Sequence, residues 1–226
     1  MVTSTSNTKS ESLKLVFGPQ DPNLDDTFLQ TLRTTLLETP ELQWVVDTLT
    51  QLPREWQKIA DAHPELAAFQ GQRYLDLLNK WVRRGVLPSN LFPLPNILVT
   101  PLVVTTQLAQ YTKFVKQINP GFSSNDSLQG TLKLDTETVG LCTGLISSAA
   151  VASSANLAEL QKHGAAAIRM ATAIGALVDA GDSDHEDGDR WQSLAVGWTA
   201  HALESKLDSI VDSFPEVLYP VQNRLR

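Results

Sequence analysis

Cysteine is almost missing: the 226 residues include one, Cys142. An intramolecular disulfide and a cysteine-only metal site are both excluded, and a reducing compartment is the natural setting. Positive charge is also short, with 18 Lys and Arg against 25 Asp and Glu and a formal charge of −7. A field of that sign repels polyanions, so nucleic acid is excluded as a partner. The polar stretch from Met1 to Ser12 lacks the apolar run of a secretory signal, so it is expected to be a disordered leader of a cytoplasmic protein.

Long uninterrupted apolar runs are absent too. Two uncharged stretches, Gly85 to Thr112 and Thr138 to Ala158, have the length of a membrane span. The first holds Pro88, Pro93, Pro95 and Pro101, and the second is diluted by Thr143, Ser147, Ser148, Ser153 and Ser154. Both read as buried parts of a globular protein, and no membrane partner is expected. Neither G-x-x-x-x-G-K-[ST] nor G-x-G-x-x-G occurs, so no bound nucleotide cofactor is implied. The acidic run from Asp182 to Asp189 invites a calcium reading, but the register set by Gly188 puts Leu194 where the loop needs Glu. A solvated acidic loop without metal is the expectation.

What is present is a helical chain with a few strands. Leu13 to Phe17 is a short apolar run stopped by Gly18 and Pro19, which reads as a strand entering a turn. From Asp25 to about Phe69 apolar residues recur at three- and four-residue steps, punctuated by Pro40 and Pro53. Further helices are predicted over Arg73 to Arg83, with Gly85 as the stop, and over Ile97 to Ile118, with Pro101 in the first turn. Two more are predicted over Leu157 to Ala180 and Ser193 to Phe214. Between them, Val139, Gly140 and Leu141 end an apolar strand, and small residues run on from Thr143 as a helix. Strands alternating with helices predict an α/β layer architecture, with several helices around a small parallel sheet.

The segment Gly140-Leu141-Cys142-Thr143-Gly144 is a G-x-C-x-G form of the nucleophile elbow, in which the central residue sits on a strained strand-to-helix turn. The glycines lack the Cβ that would collide where strand and helix cross, so the thiol projects clear. At the start of a helix, free N–H groups and the positive dipole end favour thiolate over thiol. The turn Phe17-Gly18-Pro19-Gln20, directly after the first strand, could bring a second backbone N–H to the same place as an oxyanion donor. A lone cysteine between Leu and Thr is otherwise a small buried hydrophobe.

Four segments carry a resemblance: LVFGPQ at Leu15 to Gln20, ILVTPLVVTTQLAQY at Ile97 to Tyr111, TVGLCTGLISSAAVASS at Thr138 to Ser154, and AAIRMATAIGALV at Ala166 to Val178. In these the chain resembles the starter-unit acyltransferase domain at the N-terminus of fungal non-reducing polyketide synthases. The resemblance implies an α/β-hydrolase-like large subdomain with a ferredoxin-like small one. It also implies transfer of an acyl starter from an acyl-CoA or acyl-carrier thioester to the phosphopantetheine thiol of an acyl carrier protein. Carried over by residue, Cys142 is the acylated nucleophile, and Gln20 and Thr143 supply the oxyanion-hole N–H groups. Pro19 departs from the family's usual F-G-D-Q turn and removes one donor.

In that family the general base is a histidine in an F-H-C-like stretch farther downstream, and no such stretch occurs here. His63, His163 and His185 read as solvated, which leaves His201 as the least implausible substitute. The organisation that follows is a leader over 1–12, a partial large subdomain over 13–214, and a truncated entry to the small subdomain over 215–226. Two other readings stand beside acyl transfer: an inactive fragment or interaction module, and a cysteine hydrolase. The small residues from Ala171 to Ala176 would surround an alkyl starter, whereas a dicarboxylic one would need an arginine such as Arg169.

Overall fold

The computed structural model describes residues 12–19, 24–66, 68–88, 91–121, 126–128 and 135–183. All lie in the first of two units, residues 1–186. The helix predicted over Ser193 to Phe214, the leader through residue 11, and residues 215–226 fall outside them.

Strand β1, Ser12–Phe17, alternates as a half-buried strand should, with Leu13, Leu15 and Phe17 turned inward and Lys14 and Val16 exposed. It therefore takes in Ser12, which composition alone assigned to the leader. Helix α1, Asp26–Glu38, starts where the Asp25 carboxylate accepts the Phe28 N–H at 2.7 Å, and it buries Leu29, Leu32 and Leu36. A 3₁₀ turn, Pro40–Leu42, leads into α2, Gln43–Ala62.

Pro53 does not interrupt α2 as the sequence suggested. It sits buried in the helix interior, among Val45, Leu49, Leu52 and Trp56, whose burial outweighs the lost N–H. The actual breaks fall at Thr39 and His63, both extended and each directly before a proline.

Helix α3, Gly71–Arg84, buries Leu75, Leu78, Trp81 and Val82 and stops at Gly85, whose φ of 75° suits glycine. Its last carbonyls are closed from another helix. Arg33 of α1 donates through Nε to Trp81 and Val82 O at 3.0 Å and through Nη2 to Arg83 O at 3.1 Å. Gln30 adds a 2.7 Å bond to Gly85 O.

Helix α4, Asn96–Ile118, is the buried centre, with Ile97, Leu98, Leu102, Val104 and Leu108 fully covered. Pro101 is its sixth residue rather than a first-turn residue. The start of α4 follows Pro95, which has no capping side chain, and the cap arrives from far along the chain. Asp179 Oδ1 accepts the Asn96 N–H and its side-chain amide at 2.9 Å, and Oδ2 accepts the Ile97 N–H at 2.8 Å. A carboxylate at the positive end of a helix satisfies orphan donors and complements the dipole together.

Strand β2, Asp135–Gly140, is polar over its first four residues, not apolar. It pairs parallel to β1, Ser12 opposite Asp135 through Phe17 opposite Gly140. Helix α5, Gly144–Ala152, and α6, Leu157–Ser183, complete the layer. The architecture is thus a helix-rich α/β one with a small parallel sheet, two strands among the described residues. The stretch read as an acidic loop begins inside α6, which includes Asp182, and its remainder lies outside the described residues.

Among the described residues one helix, α6, is long and apolar enough to cross a membrane. Here it is a core element: Ile168, Ala171, Thr172 and Ala176 are fully buried, and α4 is its main neighbour. Two charges in it are committed to other helices, Arg169 to Glu55 and Asp179 to the start of α4.

Candidate active site

The site is built where β2 runs into α5. Beyond Gly140, the Leu141 N–H still bonds Phe17 O at 3.0 Å, so the parallel ladder continues one residue past the strand. The chain then reverses through Cys142, at φ 55° the one non-glycine left-handed residue among those described. Such a conformation costs a residue with a Cβ about 1–2 kcal/mol and persists where surrounding structure enforces it. The helical bonds start at once: Gly144 N–H to Leu141 O at 2.9 Å, Leu145 N–H to Cys142 O at 3.0 Å, and Ile146 N–H to Thr143 O at 3.1 Å.

Both glycines of the motif are needed for contact. A Cβ on Gly140 would overlap the carbonyl oxygen of Gly144, and one on Gly144 would overlap the carbonyl oxygens of Phe17 and Gly18. Strand, first-strand turn and helix therefore meet backbone to backbone, and Cys142 is pushed out at the apex as an exposed thiol. Its Sγ has Thr143 Oγ1 at 3.8 Å. Among the described residues the N–H groups of Cys142 and Thr143 find no acceptor, and Thr143 is buried beneath the apex. N–H groups at the start of a helix are where a developing negative charge is stabilised.

Of the other sequence candidates, Gln20 and His201 lie outside the described residues, as does His185. His63 and His163 are not simply solvated. His63 Nδ1 is 3.6 Å from the Glu65 carboxylate, and His163 Nδ1 is 3.1 Å from Ser154 Oγ. Of the surroundings expected for an alkyl starter, Ala173 lines a cavity and Ile174 is exposed. Ala171 and Ala176 are fully buried in the core because α6 packs its small residues against α4. Arg169 forms a two-pronged pair with Glu55, at 2.6 and 3.0 Å, beside a shallow cavity lined by Lys58, Ile59, His63 and Met170. Among the described residues, apolar side chains reach solvent around the elbow: Val16 and its cross-strand partner Val139, with Leu141 and Leu145.

One residue escaped the sequence reading. Gln107, on α4, donates its amide to Gly18 O at 2.8 Å and so fastens the turn that follows β1. Helical periodicity passed over it, counting Leu102, Thr105, Thr106 and Ala109 on either side. A long amide amid the apolar residues of α4, one of three glutamines in that helix, was the signal available.

A cysteine held left-handed between a parallel strand and a helix has the backbone geometry of a nucleophile elbow, the hallmark of acyl-transfer and hydrolytic α/β proteins. Comparison with known proteins narrows this. The family model for the starter unit:ACP transacylase in aflatoxin biosynthesis matches residues 89–217, more than half of the chain and including Gln107, Cys142 and Thr143. The chain belongs to that family.

Similar proteins are fungal synthases. Non-reducing polyketide synthase pkdA of Emericella nidulans is 64% identical over 226 residues, 100% of this chain and 9% of the relative. Clavatol synthase claF of Penicillium crustosum is 36% identical over 206 residues, 91% of this chain and 8% of the relative. The citrinin polyketide synthase of Monascus ruber is 35% identical over 221 residues, 98% of this chain and 8% of the relative. The chain thus spans under a tenth of the length of these relatives.

Proposed function

We propose that this chain loads an acyl starter unit onto the acyl carrier protein of a polyketide synthase through a thioester on Cys142. The observation that carries the reading is the left-handed Cys142 at the apex of a strand-to-helix turn closed by two glycines. The reaction belongs to the cytoplasm, where the single thiol stays reduced.

Cys142 Sγ attacks the carbonyl carbon of an acyl-CoA or acyl-carrier thioester. The carbonyl electrons move onto oxygen, where the N–H groups of Thr143 and Gln20 hold the oxyanion. Collapse breaks the bond to the donor sulfur, which leaves with the proton that Cys142 gave up. The phosphopantetheine thiol of the carrier protein then attacks the Cys142 thioester in the same way and carries the acyl group off. Exchange of one thioester for another needs little driving force, so the protein's task is positioning and charge stabilisation. No base for the incoming thiol is identified, His201 being only the least implausible substitute; that role contributes about 10²–10⁴ in rate where a base is placed.

Intact mass after incubation with short-chain acyl-CoA thioesters tests the reading. One acyl adduct on the wild type, absent from Cys142→Ala and discharged by carrier protein, is the expected result. An adduct that persists in Cys142→Ala, or no adduct on the wild type, overturns it. Faster discharge to water than to carrier protein would make the chain a hydrolase instead.

A further inference from the structure

We propose that the cavity between α2 and α6 binds an alkyl monocarboxylate, with the headgroup on Arg169 and Lys58 and the chain against Met170 and Ala173. The site goes beyond the acyl-transfer reading of Cys142 and does not depend on it. Near the start of α2 the two helices touch: a Cβ on Gly164 of α6 would overlap the ring of Trp44. Towards the end of α2 the side chains at the gap are small, Ala62 and Ala173, and a cavity of about 460 Å³ remains. That is the size of a small-molecule site. Ile59 and Met170 supply the rest of its apolar wall, and Met170 is a large apolar side chain left 57% exposed there.

The polar groups at the cavity suit one carboxylate. Glu55 accepts from Arg169 Nε and Nη2 at 2.6 and 3.0 Å, a side-on pair that fixes the guanidinium plane and takes two of its five N–H groups. The remaining edge, Nη1 with the second Nη2 hydrogen, has no partner among the described residues. Lys58 Nζ has none either. A fork of parallel N–H groups matches the two oxygens of a carboxylate. The acidic neighbours are already engaged: Glu55 by Arg169, Asp61 by the Gln57 amide at 2.7 Å, and Glu65 by His63 Nδ1 at 3.6 Å. With Arg169 and Glu55 cancelling and His63 neutral, Lys58 leaves one positive charge at the cavity, which a single negative charge complements.

A headgroup alone gains little, because exposed ion pairs contribute little in water. A chain alone buries the apolar wall but leaves both cations without a counter-charge. An alkyl chain ending in a carboxylate uses both halves of the site. Such acids are what acyl thioesters release on hydrolysis.

Octanoate is the probe. The chain has two methionines, Met1 and Met170, so labelling with methionine carrying a ¹³C methyl group gives one reporter in the cavity wall and one far along the sequence. Octanoate should shift the Met170 methyl signal saturably, over about 1–10 mM, and leave Met1 in place. Acetate and 1-octanol should bind at least about tenfold more weakly. Lys58→Met and Arg169→Lys, which keeps a cation beside Glu55 but loses the fork, should each weaken octanoate binding about 5- to 10-fold. Ala173→Phe, which fills the cavity and leaves both cations, should abolish it. Circular dichroism checks each fold, and since Lys58 has no partner to lose, Lys58→Met decides the headgroup if Arg169→Lys unfolds. No saturable shift at Met170, or equal shifts at Met1, would overturn the proposal. So would 1-octanol binding as tightly as octanoate, or unchanged affinity in Lys58→Met.

Discussion

Replacing Gly144 by alanine adds one methyl group where there is no room. Its Cβ would meet the carbonyl oxygens of Phe17 and Gly18, and carbon and oxygen in contact need about 3.2 Å, so helix and turn must part by about 1 Å. Neither side is free to go. Phe17 O holds the Leu141 N–H at 3.0 Å, and Gly18 O holds the Gln107 amide at 2.8 Å. Overpacking costs about 1–3 kcal/mol, and stretching two hydrogen bonds worth about 1 kcal/mol each brings the expected loss to about 2–4 kcal/mol. Acylation of Cys142 should fall by about 10²-fold, since the turn and the helix start that present the thiol part by the same distance. Gly18 is the internal control: among the described residues nothing lies within 4 Å of a Cβ built there, so Gly18→Ala should hold stability within about 0.5 kcal/mol. Urea unfolding followed by circular dichroism gives the stabilities, and intact mass against time gives the acylation rates. A Gly144→Ala protein as stable and as readily acylated as wild type would refute the close-contact account of the elbow.

Further outcomes are expected elsewhere in the fold. Asp179→Ala strips three bonds from the start of α4 and should cost about 2–4 kcal/mol, whereas Asp179→Asn, which retains an acceptor, should cost about half as much; equal stability of wild type and Asp179→Ala in urea would contradict the cap. Arg33→Met keeps the aliphatic stem but removes the guanidinium that closes α3, with an expected loss of about 1–2 kcal/mol, and Arg33→Lys should not restore it because one ammonium cannot span three carbonyls. Burial pushes Tyr111 from 10.0 up to about 12. A group whose folded value is raised stabilises fully below the unfolded value, so stability should be intact to about pH 10 and fall towards pH 12 by about 2–3 kcal/mol. Tyr111→Phe should unfold less steeply over that window, and a pH dependence identical to wild type would show that Tyr111 is not the group concerned.

Much of this was legible in the residues. A short apolar run stopped by Gly18 and Pro19 located β1, three- and four-residue spacing located α1 to α4 and α6, and Gly85 marked the end of α3, because each is a local consequence of side-chain direction or backbone freedom. The elbow was legible for the same reason: Gly140, Cys142 and Gly144 are neighbours in the chain, and their steric demands can be worked out without knowing what surrounds them. Proline was misjudged where local rules met the core. Pro53 stays helical because α2 buries a long apolar face around it; Pro40 does mark a break, at Thr39 before it, and the second break falls instead at His63, before Pro64.

What only the tertiary structure decided are the bonds between residues far apart in sequence. Asp179 caps a helix that starts 83 positions earlier, Arg33 closes one that ends about fifty positions later, and Gln107 anchors a carbonyl 89 positions away. No periodicity encodes such pairs. An orphan N–H at a helix start can be met by any acceptor that packing delivers, so the sequence shows the need but not the partner. The arginine offered for a starter carboxylate was decided in the same way: the packing of α6 on α2 delivers Arg169 to Glu55. The identity of the candidate nucleophile was thus a property of five consecutive residues, while the fixing of the turn that faces it depended on a helix that only folding brings alongside.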